Sequence, residues 1–231
     1  MAYTRLQLCQ RYAKEAGISG ASNSTLPTST LAQTGEMLDV VNDIDSAYEK
    51  LQNMKPNWHF LRFDFSFPTI SGTQNYTPTD AGYPEHKTWK ADSFRCYLTA
   101  TGTDDEQDLC FVPWEDFRDL YLLGSQRDAS GRPIKFTIKP DKSVSFYPKP
   151  DAIYTVVGEY WKRAQAMGAN ATEPLMPDEF HLILVWMALM KYGLREAAQE
   201  KYALGLMEYN ALIGPLKTTQ LPPMETAGPM A

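Results

Sequence analysis

The chain has 231 residues, 43% of them apolar and 22% charged, with a net charge of −6; that is enough to bury one sizeable core or two small ones and too apolar for wholesale disorder. The acidic balance disfavours a nonspecific nucleic-acid binder, which needs excess Lys and Arg to displace phosphate counterions. Cys9, Cys96 and Cys110 fit neither a disulfide framework nor a zinc pattern and read as reduced, buried thiols of a protein made in a cytosol, although Cys96 and Cys110 could face one another across a hairpin.

In chain order, Tyr3 to Ala16 predicts a helix, with Leu6, Cys9, Tyr12, Ala13 and Ala16 at spacings of three and four. It is amphipathic and charged, unlike a signal peptide. Gly17 and Gly20 stop it, and a polar loop, "GISGASNSTLPTSTLAQ", follows. A second helix is expected from about Thr34 to Met54, where Met37, Val41, Ile44, Tyr48 and Leu51 form a two-heptad stripe that asks for a helical neighbour. Then the period drops to two. Leu61, Phe63, Phe65 and Phe67 alternate with polar residues, which predicts a strand with one buried face. A hairpin is expected about Thr101 to Gln107, and Trp114 to Leu123 has the composition of a short helix. In "GRPIKFTIKPDKSVSFYPKPDAIYTVVGEYWKR", three alternating runs separated by Pro140-Asp141 and by Pro148, Pro150 and Asp151 predict an antiparallel meander. Helical spacing returns at Pro177 and stops at Gly193. A last helix runs from Leu194 to about Ile213, with Gly214-Pro215 as terminator.

This order predicts an α+β protein. Residues 1–57 and 164–214 would form a four-helix bundle, residues 58–163 an inserted antiparallel β-sheet or sandwich domain, and residues 215–231 an extended, proline-bearing tail. The end of the second helix and the start of the third should lie near each other at the base of the insert.

No catalytic chemistry is legible. His59, His86 and His181 each lack a second His or Cys at ligand spacing, so neither a metal nor another cofactor is expected. There is no nucleophile elbow, P-loop or dinucleotide fingerprint. Asp104, Asp105 and Glu106 read as a solvated hairpin tip, and Lys162 with Arg163 is too thin for a basic stripe. The longest apolar run, Leu182 to Met190, is about half of what a bilayer needs, so no membrane span is expected.

Four stretches carry a resemblance. "LQNMKPNWHFLRFDFSF" leads a long helix through a tryptophan into an aromatic strand; the meander opens on Gly-x-Pro and turns at Tyr-Pro-x-Pro; "LMPDEFHLILVWMALMKYG" opens the penultimate helix; and a proline-bearing tail closes the chain. In order and spacing they resemble the head-to-tail adaptor (connector, or tail tubular A-type) proteins of short-tailed bacteriophages, over about residues 3 to 215. The resemblance implies a non-enzymatic virion component of the phage neck, assembled in the host cytoplasm. It implies a ring of about twelve copies beneath the portal, with a tail nozzle protein below and DNA passing through the channel without specific binding.

On that reading the apolar run needs neighbours on every side. His181, Val185, Trp186 and Met187 are then candidates for the helix core or for a contact between subunits. A central core helix of a single chain is the plainer explanation. The tail residues Leu216, Leu221, Pro222, Pro223 and Met224 are candidates for contact with the portal. The alternative function is a ligand- or carbohydrate-binding tail component whose β domain would use exposed aromatics such as Tyr83, Trp89 or Trp114.

Overall fold

The computed structural model describes residues 2–18 and 26–222. The chain divides into two compact units, one made of Met1–Leu61 with Ala164–Ala231 and the other of Arg62–Arg163. The helices in chain order are α1 (Arg5–Ala16), α2 (Glu36–Met54), α3 (Trp114–Tyr121), α4 (Ile183–Arg195) and α5 (Gln199–Gln220). The strands are β1 (Arg62–Pro68), β2 (Asn75–Tyr76), β3 (His86–Trp89), β4 (Arg95–Leu98), β5 (Gln107–Asp108), β6 (Cys110–Phe111), β7 (Ser130–Gly131), β8 (Lys135–Ile138), β9 (Val144–Tyr147), β10 (Lys149–Pro150) and β11 (Tyr154–Lys162). The protein is α+β, as its hydrophobic periodicities imply.

In the first unit, α1 starts with a reciprocal cap: the Thr4 hydroxyl takes the Gln7 amide proton and the Gln7 side chain takes that of Thr4. Gly17, at φ 82°, closes it. Four of the five stripe residues of α2, Val41, Ile44, Tyr48 and Leu51, are buried. Helix α4 packs against α1, α2 and α5. The Gln52 side chain donates to the Gln165 carbonyl and accepts from its amide, both at 2.9 Å, so the end of α2 is tied to the start of the returning chain.

Two helix boundaries differ from expectation. Gly193 does not end a helix; it lies buried inside α4. A Cβ there would sit 2.7 Å from the Tyr202 backbone nitrogen, and one at Gly205 would sit 3.0 Å from the Trp186 carbonyl oxygen. Both glycines let α4 and α5 approach closely. Nor does Gly214-Pro215 terminate α5, which continues to Gln220 with Pro215 inside it. A proline in a helix interior costs about 3 kcal/mol. Burial of Leu216, fully enclosed one residue later, returns roughly 1.5–3 kcal/mol. The Thr218 and Thr219 hydroxyls bond back to the Gly214 and Pro215 carbonyls at 3.1 Å each. Residues 215–220 are therefore helix and not extended tail.

In the second unit, β11 is the centre of one sheet, ordered β1-β11-β4-β5 with β3 also paired to β11. A second sheet has the order β2-β9-β8-β6, and β10 pairs with β7. The pairings are antiparallel except for β6 with β8 and β10 with β7. The expected three-stranded meander is corrected here: β8 and β9 form a hairpin, but β11 leaves for the other sheet. Pro148 and Pro150 offer no amide donors to a ladder. The return strand instead pairs along all of β1, from Arg62 opposite Trp161 to Pro68 opposite Thr155. Between the sheets lies an aromatic core. Phe94 stacks on Phe136 at 4.1 Å, and Phe67 meets Tyr76 at 5.5 Å and Phe146 at 6.4 Å. Sheet residues Thr137 and Ser145 are also fully buried, contrary to a simple polar-out alternation, because α3 packs on β8.

Candidate assembly surfaces

What fixes the helices is polar and was invisible to periodicity. Asp43, 2% exposed, stands where three helices meet. It accepts from the Tyr12 hydroxyl of α1 at 2.8 Å and pairs with Lys191 at 2.9 Å and Arg195 at 3.3 Å on α4. Burial, then the bond to Asp43, pushes the Tyr12 hydroxyl pKa well above its ordinary value. Arg5 does similar work nearby: its Nε donates to Asp45 at 3.0 Å and its Nη1 to the Thr30 hydroxyl at 2.9 Å. The Asn170 side-chain oxygen takes both the Thr30 amide and hydroxyl at 2.7 Å. Beside this cluster the Cys9 thiol is pushed up to about 12, mainly by burial. Such a thiol is an inert packing group.

The four helix candidates are all in the core. His181 is 1% exposed; its Nδ1 accepts from the Tyr3 amide at 3.0 Å, and its Nε2 lies 3.0 Å from the Met176 carbonyl. Both contacts are satisfied with the proton on Nε2. Val185, Trp186 and Met187 are 0%, 7% and 8% exposed. The run from Ile183 to Leu189 is buried throughout by its own chain, so its apolar character needs no second copy.

One surface that stays uncovered in the helical unit belongs to α5. Only Gly205, Ile213 and Leu216 of this 22-residue helix are buried. Ala203, Leu206, Met207, Asn210, Ala211 and Gly214 follow one another at helical spacing, and all are exposed. Leu206 is 38% and Met207 61% exposed. No charge interrupts them: between Lys201 and Lys217 the only ionisable carboxyl is Glu208, which lies off this line. Leu194, at 71% exposure the most open large apolar residue of α4, lies in the last turn of that helix. The signal in the sequence was this missing charge, masked by the terminator assigned to Gly214-Pro215. The tail candidates divide accordingly. Leu216 is core, Leu221 is half-buried, Pro222 is exposed, and Pro223 and Met224 lie outside the described residues.

The β unit holds no aromatic platform built from the three candidates. Trp89 is 3% exposed and belongs to the core. Tyr83 packs against that core, and its hydroxyl takes the Ser66 amide at 2.8 Å and donates to the Ser66 carbonyl at 3.2 Å. Trp114 is half-buried beneath Lys139, 5.4 Å from its ring centre. The acidic hairpin tip is partly structural: Arg132 forks onto both Asp105 oxygens at 2.7 Å and also donates to the Cys96 and Asp105 carbonyls. That hydrogen-bonded guanidinium holds the Asp105 carboxyl below its ordinary range. Cys96 and Cys110 do not pair; they sit in different sheets as free thiols, the first buried and the second exposed rather than buried as expected. Among the described residues no group of three His, Cys, Asp or Glu side chains could hold a metal ion, and no helix is long and apolar enough to cross a membrane.

A family model described as SU10 adaptor protein matches residues 3–227. No curated protein matches the chain.

Proposed function

We infer that this chain, which belongs to the SU10 adaptor protein family, serves as a head-to-tail adaptor in the neck of a phage virion. It forms a ring of about twelve copies between the portal and the tail nozzle protein, and DNA passes through the ring without specific binding. The near-complete family match is the observation that carries this reading, and it agrees with the resemblance borne by the helix-to-strand junction, the Gly-x-Pro strand and the Leu-Met-Pro helix opening.

The uncharged face of α5 supports the assembly part of the proposal. The apolar run Ile183–Leu189 of α4 is satisfied within one chain, whereas the α5 face with Leu206 and Met207 is open; on this reading lateral contact between copies is made by α5. A heterologous contact of this kind closes into a ring when its rotation permits. The face is about 33 Å long over 22 residues, too narrow by itself for the roughly 800 Å² per partner of a stable pair. Assembly therefore depends on the portal as a template. The segment after Pro222 is the strap that reaches the portal. Residues 215–220 are excluded from that role because Leu216 anchors them in the core. The net charge of −6 suits a channel wall that repels phosphate.

Native mass measurement of the chain mixed with a purified portal ring tests the reading. A complex with many copies per portal is expected. Met207→Lys should reduce the number of copies retained, and deletion after Pro222 should weaken capture by portal. Undiminished capture of the truncated chain would remove the strap from the account, and no association of the intact chain would remove the function.

A further inference from the structure

His86 has no role in any of this, and its surroundings are unusual. It opens β3, is 6% exposed, and has no hydrogen-bond partner among the described residues at either ring nitrogen. Its ring lies 4.1 Å from that of Trp89 and 6.2 Å from that of Tyr160, tilted by 32° and 26°. The segment around it, from the Thr77–Gly82 turn through Trp89, packs on the rest of the aromatic core, to which it contributes Ala81 and Trp89, and its Glu85 carbonyl accepts from the Arg163 amide at 2.9 Å. The Tyr83 hydroxyl clasps Ser66, the Trp89 indole donates to the Lys142 carbonyl at 2.9 Å, and β3 pairs with the last residues of β11 across a register shift at Trp161 and Lys162.

We propose that His86 is a proton-sensitive release for this segment, so that acid loosens residues 77–89 from the aromatic core of the β unit while the rest of that unit stays folded. A protonated imidazole has two donors and finds no acceptor in its cage. The charged groups around it do not help. Lys142, from the β8–β9 turn, repels a second positive charge; on β11, Lys162 is itself cationic and pairs with Glu85 at 3.6 Å; Tyr83 and Tyr160 present neutral rings. The face of Trp89 attracts a cation and offsets part of the penalty. Moving the segment into water removes the rest.

Burial and then Lys142 lower the imidazole from its ordinary 6.5 to about 4. A histidine lowered in the closed state favours closure above pH 6.5, and this advantage is lost as pH falls toward the closed-state value. Over pH 7 to pH 5 the opening constant rises about 20-fold, since the open state takes up a proton that the closed state refuses.

Amide hydrogen exchange of the intact chain at pH 7, 6 and 5, corrected for intrinsic rates, tests this. Protection of residues 77–89 should fall about 20-fold relative to β8 and β9, and His86→Phe should abolish the pH dependence. An unchanged ratio in the native chain, or the same fall in the variant, overturns the proposal. Should His86→Phe fail to fold, imidazole titration by NMR in the native chain decides. A ring that stays unprotonated in the closed state down to pH 5 supports the release; one titrating near 6.5 refutes it.

Discussion

Asp43→Ala is the sharpest test of how the helical unit is held together. The carboxylate is buried at 2% exposure and serves three donors on two helices. Losing one partner of a fully buried ion pair costs about 3–5 kcal/mol when the other charge is stranded. Here the stranded charges are not trapped: the Lys191 and Arg195 side chains are 54% and 37% exposed and can turn to water. What remains is the Tyr12 hydroxyl, on a residue with no exposed surface, left without an acceptor at about 1–3 kcal/mol. A small void adds to this, for a total of about 2–3 kcal/mol. Tyr12→Phe removes the hydroxyl and leaves Asp43 with both cations, at about 1.5 kcal/mol for a bond to a charged group. Adding Tyr12→Phe to Asp43→Ala should then cost nothing further, because the orphaned hydroxyl is gone. Urea unfolding of the wild type, both single variants and the double variant measures the coupling. Additive losses, or a loss below about 1 kcal/mol for Asp43→Ala, would refute the reasoning.

Three further substitutions probe separate parts of the structure. Gly193→Ala forces a Cβ to within 2.7 Å of the Tyr202 nitrogen and should lower stability by about 1–3 kcal/mol or more in thermal unfolding. Gly214→Ala meets nothing within 4 Å; it should stabilise the isolated chain by about 0.5–1 kcal/mol through helix propensity, and a loss instead would place α5 wrongly. For the hairpin tip, the lowered Asp105 carboxyl contributes stability that is intact above its ordinary 3.8 and lost as pH falls through the folded value. Arg132→Ala should remove that acid dependence, read as exchange protection of residues 98–107.

Much of the fold was legible because it follows periodicity. The 4-3-4-3 stripe of α2 and the alternation of Phe63, Phe65 and Phe67 are direct consequences of 3.6- and 2-residue repeats. Errors arose where local punctuation yielded to tertiary burial. Gly193 has the sequence signature of a stop yet serves close helix packing. Pro215 has the signature of a terminator, but Ile213 and Leu216 on either side are both drawn into the core. Strand exchange after Tyr147 could not be read either, since the alternation of β11 fits a meander and a second sheet equally well. The polar fasteners, Arg5 with Asp45, Asp43 with Tyr12, and Asn170 with Thr30, join residues between 31 and 140 positions apart, and no local pattern encodes such pairings. As for the surface, apolar residues at Leu182–Met190 drew attention to the helix that one chain already satisfies, while the exposed face of α5 announces itself only by lacking charge.

The most direct test of the adaptor reading is electron microscopy of this chain mixed with a purified portal ring. The account expects a closed ring of copies seated on the portal, with the outer faces of α5, at Leu206 and Met207, in contact between neighbours. Portal rings that remain bare at saturating chain, or bound copies with α5 left open to solvent on every side, would contradict it.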